Sequence, residues 1–562
     1  MQYLVVPRHA EKLPDVFTSK KAMLFSGIVC AIPFVFPYAF LLAWVAYVPL
    51  ACAFFAPHIC KRALFTRAFL FAWGFYTVGY SWLGELYPMD YVGFSRIQSF
   101  LVILLALTAI PLLHGLLFAV SVLFVRILAD FSGGSERSIC RPFCVLLFPC
   151  AVVLTEYLQS LGTLAFPWCR VYVTQAAFPC LLQSASLFGS YFITYLVLVI
   201  NALLAYGLCS QKGDKRRRVA AWLLASMLFL GNAVFGICRS GVLTARYDAP
   251  ETPRITAATL QGNISSSEKW SGGFRSMSER YLMLAENALA DIRRKEADSA
   301  SKSCGILLVT PETALPVEID SAENPYVRPF SELAVRENAT VALGAFSVQD
   351  GGCGNSMFFL TPDGSISEPY TKRHLVPFGE YLPYRPILQT LLPALAEINM
   401  LSDDLYAGTE TAVFPSECGG IGTLICYESI FSPLCRDTVR DGADILIVAT
   451  NDSWFGASAA LRHHLAAAQM RAVENGVSVI RAANTGISAL IYPNGRAVQT
   501  LGAQKTGYLV GELPCERAHT LYTAAGDTPL AWGCCLAAAA VLLGLRRRRG
   551  KTDTVSKGEL YA

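Results

Sequence analysis

The first 240 residues are a succession of apolar runs separated by short polar loops. Runs approaching ~20 apolar residues leave the chain few options, because in hydrocarbon only a helix or a closed barrel satisfies its own backbone. The candidate spans are Ala22–Pro37, Ala39–Ala56, Leu64–Leu83, Ile97–Leu128, Pro142–Leu158, Leu187–Cys209 and Val219–Cys238, with a last one at Thr528–Leu545. The first two are short and read equally well as one re-entrant hairpin; otherwise the bundle has about eight spans. Composition agrees, since 54% of the 562 residues are hydrophobic and 16% are charged, against ~25% charged in soluble domains.

Basic clusters flank these runs: Lys20-Lys21, Lys61-Arg62, Arg126 with Arg137 and Arg141, Lys215–Arg218, and Arg546–Arg549. They fall in alternate loops, so with eight spans they share one face, the cytoplasmic one under the positive-inside rule. The opposite loops, Gly84–Arg96 and Gly162–Ser186, are aromatic and poor in charge, and Arg239–Asp527 lies on their side. A net charge of +4, clustered at span ends, argues against a nucleic-acid partner. No cleavable signal peptide is expected, because the run starting near Ala22 lacks a small-x-small cleavage site. Many of the 18 cysteines, such as Cys30, Cys52, Cys150 and Cys534, sit in apolar runs and serve there as small hydrophobes. No disulfide framework and no metal spacing are read, with a Cys169–Cys180 pair left open.

Beyond about Ala245 the polarity becomes ordinary. Short β-like runs recur at Thr256–Leu260, Gly305–Val309, Thr340–Ala345, Gly422–Ile425, Ile445–Ala449 and Val477–Arg481, with helical stretches at Arg275–Lys295 and Ala457–Asn475. That pattern is an α/β domain with buried strands. The expected organisation is a bundle of about seven spans over 1–240, an extracytoplasmic domain over 250–515, a closing transmembrane helix at 528–545 and a basic cytoplasmic tail at 546–562. Arg293–Ser303 is polar and reads as an inserted loop.

Three segments of the outer domain share one design, a strand that ends on a reactive side chain: Gly305–Pro316 with Glu312, Tyr370–Pro383 with Lys372, and Gly422–Ser429 with Cys426. A thiolate attacks carbonyl carbon readily. A carboxylate against apolar walls is expected to have a raised pKa and to take the thiol proton. A fixed ammonium then stabilises the oxyanion. Each residue alone has a blander role, as a buried structural thiol, a helix cap or a solvated lysine. All three in order, each at a strand end, point to acyl chemistry without histidine.

That order resembles the nitrilase superfamily, which uses Glu, Lys and Cys on an αββα sandwich. Lys372-Arg-His-Leu-Val-Pro-Phe-Gly-Glu-Tyr-Leu-Pro383 is similar to the signature of one branch, the bacterial apolipoprotein N-acyltransferases. Gln261–Ile264 with Lys269-Trp270, Asn451–Gly456, Gln469–Glu474, Asn484–Gly486 and Phe166–Trp168 match the same branch, as does a hydrophobic bundle closed by a C-terminal helix. The resemblance implies Glu312 as base, Lys372 as oxyanion stabiliser and Cys426 as nucleophile. It implies supporting roles for Glu380, which would orient Lys372, and for Tyr427 and Glu428. Trp270, Trp454, Asn355 and Trp168 become candidates for binding substrate. The implied reaction moves a fatty acyl chain from a membrane phospholipid, through a thioester on Cys426, to the α-amino group of a diacylglyceryl-modified N-terminal cysteine of a lipoprotein. No metal or organic cofactor is implied. The setting would be a monomer in the bacterial inner membrane with its catalytic domain in the periplasm. One departure stands out: the family usually has Trp-Pro-Glu at the acid, and here Thr310 precedes Pro311 and Glu312.

Other polar residues read more plainly. His374 is positional, and His463 and His464 bond structurally. Glu156, inside a span, is functional or a packing residue. Trp168, Trp82 and Tyr87 read as interfacial belts. Two other functions compete. A membrane-tethered amidase or nitrilase would use the same three residues on a small amide, but would not need lipid access. A transporter or receptor carrying a dead domain predicts loss of a catalytic residue, and all three are present.

Overall fold

A computed structural model describes residues 17–528 apart from 91–92, 132–143, 211–213, 272, 299–302, 350–351 and 392–403, together with Ala531. Of the expected last span Thr528–Leu545 only Thr528 and Ala531 are among them, and the tail 546–562 lies outside them.

The apolar runs form helices over Lys20–Val35, Lys61–Gly79, Arg96–Phe131, Cys144–Leu158, Ser190–Cys209 and Lys215–Tyr247. Small residues set the packing between the first two, as membrane helices require. A Cβ on Gly27 would lie 1.9 Å from the Phe71 carbonyl oxygen, and one on Gly74 would lie 2.6 Å from that of Leu24. Among the described residues, Pro37–Phe55, Arg96–Asp130, Ser190–Cys209 and Lys215–Tyr247 are long and apolar enough to cross a membrane. The expected span Ala39–Ala56 is not one continuous α-helix. Pro37–Trp44 winds as a 3₁₀ segment and Val48–Phe55 as a separate α-helix, each with a proline in its first turn, where the missing N–H costs least. The 33-residue helix Lys215–Tyr247 is about 50 Å long, longer than the ~30 Å hydrocarbon core. Its C-terminal end meets the second half of the molecule: Thr244 Oγ1 accepts from Asn494 Nδ2 at 3.2 Å, and Arg246 pairs with Glu516.

That second half is built from twelve strands among the described residues: β1 (Arg254–Gln261), β2 (Ile306–Val309), β3 (Ala339–Gln349), β4 (Gly352–Leu360), β5 (Tyr370–Thr371), β6 (Val413–Ser416), β7 (Gly419–Ile425), β8 (Ala443–Thr450), β9 (Ser478–Ala483), β10 (Ser488–Ile491), β11 (Ala497–Leu501) and β12 (Gly507–Pro514). They form two six-stranded sheets, ordered β12-β1-β2-β3-β4-β5 and β11-β10-β9-β8-β7-β6. The side-chain period of two sorts each strand between two cores. Ile255, Leu307, Val309, Met357, Ile421, Ile425, Ile445, Ile447 and Ile480 meet between the sheets. Leu424, Leu446, Val448 and Val479 point the other way, against Cys435, Val439, Ala468 and Ala472 of the helices Ser432–Arg440 and Ala460–Asn475. On the far side, Leu260, Leu308 and Val341 pack under Tyr281, Leu284, Phe330 and Leu333 of Phe274–Asp298 and Arg328–Glu337. The result is the expected αββα sandwich.

Two expectations need correction. The helix Phe274–Asp298 includes Arg293–Asp298 of the segment read as an inserted loop, whose residues 299–302 lie outside the described ones; it buries Leu289 and Ile292 on one face, and the polar residues form the solvated face. The outer domain also has a disulfide, Cys304–Cys418, with Cα atoms 5.6 Å apart and a sequence separation of 114. It joins the residue ahead of β2 to the β6–β7 hairpin, so the pair exists only once the two sheets stack. Cys169 and Cys180 are free thiols.

Candidate active site

The ends of three strands, β2 and β5 of one sheet and β7 of the other, deliver the three reactive residues to one place. Glu312 follows β2 through Thr310-Pro311. The Thr310 hydroxyl donates to Ala342 O at 3.2 Å and accepts from Gly344 N at 2.9 Å. Thr310 therefore anchors the acid turn to β3 by hydrogen bonds. Gly344 is needed there, because a Cβ would sit 2.2 Å from Pro311 O. Lys372 follows β5, and its N–H donates to Asn355 O at 2.8 Å. Cys426 follows β7 at the start of a 3₁₀ turn with φ of +53°. A non-glycine residue in that region is uncommon and costs energy that the surroundings must hold.

The side chains form one buried network. Lys372 Nζ donates to Glu312 Oε1 at 3.1 Å and to Glu380 Oε1 at 2.8 Å. Asn355 Nδ2 donates to the same two oxygens at 2.7 and 3.1 Å. The other Glu312 oxygen accepts from Asn451 N at 2.9 Å, and Glu380 Oε2 accepts from Val376 N at 2.8 Å. Glu428 clasps the lysine loop to the cysteine turn. Its carboxylate accepts from Arg373 N and Ile425 N, each at 2.7 Å, and from the Tyr370 hydroxyl at 2.9 Å. His464 bridges Asp452 Oδ1 at 2.8 Å and the Cys426 carbonyl at 3.0 Å. Arg481 holds the second Asp452 oxygen at 2.6 Å.

Burial raises the Glu312 carboxyl, but the ammonium groups of Lys372 and Lys269 and the Asn355 amide outweigh it and hold it below the ordinary value. The raised acid expected from apolar walls is thus corrected, because two cations face it. Burial lowers Lys372, but Glu312 and Glu380 more than compensate and keep it charged well above the usual lysine range. Burial and the Glu312 charge push the Cys426 thiol well up, against the pull of Lys372. At rest the site therefore holds an ionised carboxylate, an ammonium and a neutral thiol.

Lys269 is the participant that residue patterns alone miss. It lies on the short helix Ser266–Lys269 and is 3% exposed. Its Nζ donates to Glu312 O at 3.2 Å and to Thr313 Oγ1. Only its place beside Trp270 in a matched segment hinted at it.

The other candidates separate. Asn355 belongs to the acid network. Trp270 is 46% exposed, its ring 6.3 Å from that of Phe346. Trp454 is half-buried in the turn Ser453–Phe455. Tyr427 turns out of the network and donates to Ala165 O at 2.6 Å, in the helical half. Trp168 and Trp82 are not belt residues. They are buried, their rings 5.1 Å apart and each within 5.2 Å of Phe455, so they fill the contact between helices and sandwich. Tyr87 is exposed. His463 bonds Phe34 O at 2.9 Å. The His374 ring stacks near Tyr427 and Phe431. Glu156 accepts from Val171 N at 2.7 Å and Thr194 Oγ1 at 2.8 Å beside Arg170, a buried packing role.

A sandwich of this topology with glutamate, lysine and cysteine at its strand ends defines a carbon–nitrogen hydrolase domain. The family model for carbon-nitrogen hydrolases matches residues 256–522, and that for the apolipoprotein N-acyltransferase N-terminal domain matches residues 26–203. The apolipoprotein N-acyltransferase of Geobacter metallireducens is 30% identical over 93% of this chain and 94% of its own. That of Bradyrhizobium diazoefficiens is 32% identical over 72% of this chain and 74% of its own. Among solved structures, Saccharomyces cerevisiae Nit3, of the nitrilase superfamily, is similar at 18% identity over 50% of this chain and 97% of its own, with a TM-score of 0.35. The chain belongs to the apolipoprotein N-acyltransferase family and is an enzyme of that class, a membrane protein with a carbon–nitrogen hydrolase domain.

Proposed function

We propose that the chain transfers a fatty acyl group from a membrane phospholipid to the α-amino group of the diacylglyceryl-cysteine at a lipoprotein N-terminus. Cys426 Sγ attacks the ester carbonyl while Glu312 takes the thiol proton. Lys372 stabilises the oxyanion, and Glu380 and Asn355 position Lys372 and Glu312. The lysophospholipid alkoxide leaves with the proton from Glu312. The acceptor amine then attacks the thioester while Glu312 takes its proton, and the departing Cys426 thiolate regains that proton from Glu312. The resting pair of ionised carboxylate and neutral thiol suits this order, because charge moves onto sulfur only as the carbonyl carbon is engaged.

The observation that carries the reading is the buried Lys372–Glu312 pair at 3.1 Å, beside a thiol that feels both charges. The surroundings favour a lipid donor over a small amide. Phe378, Tyr384 and Ile387, which follow Lys372 in sequence, are more than half exposed, and the Tyr384 hydroxyl accepts from Thr163 Oγ1 of the helical half at 3.2 Å.

In this reading a bundle over 1–240 and a closing helix at 528–545 make eight crossings. The domain over 250–515 stands in the periplasm of an inner-membrane monomer, and the tail 546–562 is cytoplasmic. A cysteine replacing Ser266 then labels with an impermeant thiol reagent in intact cells lacking an outer barrier, and one replacing Ser210 does not; equal labelling of both contradicts the orientation. The activity test is purified protein with phospholipid and a diacylated lipopeptide. The expected product is the triacylated peptide with stoichiometric lysophospholipid. Release of free fatty acid with the peptide unchanged would favour a hydrolase.

A further inference from the structure

Two carboxylates of the catalytic network, Glu312 and Glu380, are bonded to a single ammonium, Lys372. Taken alone, that set leaves one uncompensated negative charge in a buried site next to a thiol that must become a thiolate. Burying an unbalanced charge is costly. A second ammonium, Lys269, lies against the same turn, 3% exposed, donating to Glu312 O at 3.2 Å and to Thr313 Oγ1. Both of these acceptors are neutral oxygens, which any N–H donor would satisfy. A charge at this position therefore needs a reason beyond bonding the turn.

We infer that Lys269 is a positioning residue for acyl transfer: its buried ammonium balances the second carboxylate of the site and keeps Glu312 in the ionised, proton-accepting form. The inference rests on the reading of Glu312 as base. The charged and titratable groups around Glu312 come from every packed element. They are Lys269 from the helix before Trp270, Lys372 and Arg373 after β5, Glu380 from the following loop, Cys426 and Glu428 after β7 and Asp452 after β8, which Arg481 and His464 hold. Of these, the two lysines, Lys372 first and Lys269 second, favour the Glu312 carboxylate directly. Burial lowers Lys269 to about 8, against the opposing pull of Glu312 and Cys426, so it is charged at neutral pH. The chain places Lys269 immediately before Trp270, which is 46% exposed, so the charge is also set beside a side chain open to substrate.

The sign follows directly. Removing a cation that favours the carboxylate raises the pH at which Glu312 ionises, so activity should be lost first on the acid side. The full chain, purified in mixed detergent–phospholipid micelles, is assayed for the single-turnover rate of Cys426 acylation across about pH 5 to 9. Lys269→Met should move the acidic limb to higher pH, with the rate at the acid end falling about tenfold more than at the alkaline end. Lys269→Arg, which retains the charge, should restore the limb. Lys269→Gln keeps an N–H donor for both oxygens and should behave as Lys269→Met does, which covers a methionine variant that fails to fold. A rate lowered by the same factor at every pH, an unchanged profile, or collapse of both neutral variants would make the lysine purely structural and overturn the inference. Glu312→Gln, run alongside, separates the two readings. If it is inactive throughout while Lys269→Met leaves the profile in place, only the role of Lys269 fails. If Glu312→Gln still acylates with an acidic limb, the base itself is misassigned.

Discussion

On the helices Arg96–Phe131 and Lys215–Tyr247, Leu105, Leu113, Met227 and Leu230 point outward at 64, 61, 68 and 59% exposure. In the sandwich, Ile445 to Ala449 of β8 and Val479 to Ala482 of β9 are wholly buried, and the charged residues Lys372, Asp452, Arg471, Glu474 and Arg481 are buried with them. The two halves treat the same side chains oppositely because they fold in different solvents. Hydrocarbon imposes no penalty on an outward leucine, but makes an unpaired charge expensive. Water drives the sandwich to bury its apolar strands, and it then tolerates internal charge only where every carboxylate finds donors. The helices meet the sandwich beside the Cys426 turn, where Tyr427 bonds Ala165 O and Phe455 packs on Trp82 and Trp168.

The largest expected effect tests the charged side of this contrast. Lys372→Met should lower the acylation rate by about 10²–10³-fold or more, with the protein still extracted as a folded membrane enzyme; near-normal turnover would make the lysine structural. Next comes the link between the sheets. Replacing both Cys304 and Cys418 by alanine should cost the sandwich about 2–5 kcal/mol, read as a lower unfolding temperature with acylation retained well below it; an unchanged melt would mean the stacked sheets need no tie. The smallest effect sharpens the contrast between the halves. Leu113→Lys should cost membrane insertion about 2.5–3.5 kcal/mol, while Val335→Lys, on the sandwich at 51% exposure, should stay within about 0.5 kcal/mol. Equal costs at the two positions would remove the distinction between a lipid-facing and a water-facing surface.

Much of the sandwich was readable because each strand carries its own signal. Alternating or continuous apolar runs marked β1, β2, β3, β7, β8 and β9, and the strand-end positions of Glu312, Lys372 and Cys426 singled those residues out. What stayed hidden depends on contacts between distant segments. Cys304 and Cys418 meet only through sheet stacking. Lys269 looks like a solvated helix lysine until the Thr310–Thr313 turn covers it. The low pKa direction of Glu312 depends on Lys372 and on that same lysine together. Trp82 and Trp168 have belt-like sequence positions, and docking of the turn Ser453–Phe455 buries them. In the bundle, apolarity marked helices but not every break: the run Ala39–Ala56 divides into the 3₁₀ segment Pro37–Trp44 and the separate helix Val48–Phe55.

In the proposed reaction Cys426 carries the acyl chain between donor and acceptor. Incubated with phospholipid alone, the protein should gain one fatty acyl mass on the peptide containing Cys426, with an equal amount of lysophospholipid released. Neutral hydroxylamine should remove the adduct, and a diacylated peptide with a free N-terminal cysteine should discharge it onto its amine. An adduct on any other residue, or triacylated peptide formed at full rate by Cys426→Ala, would contradict the account.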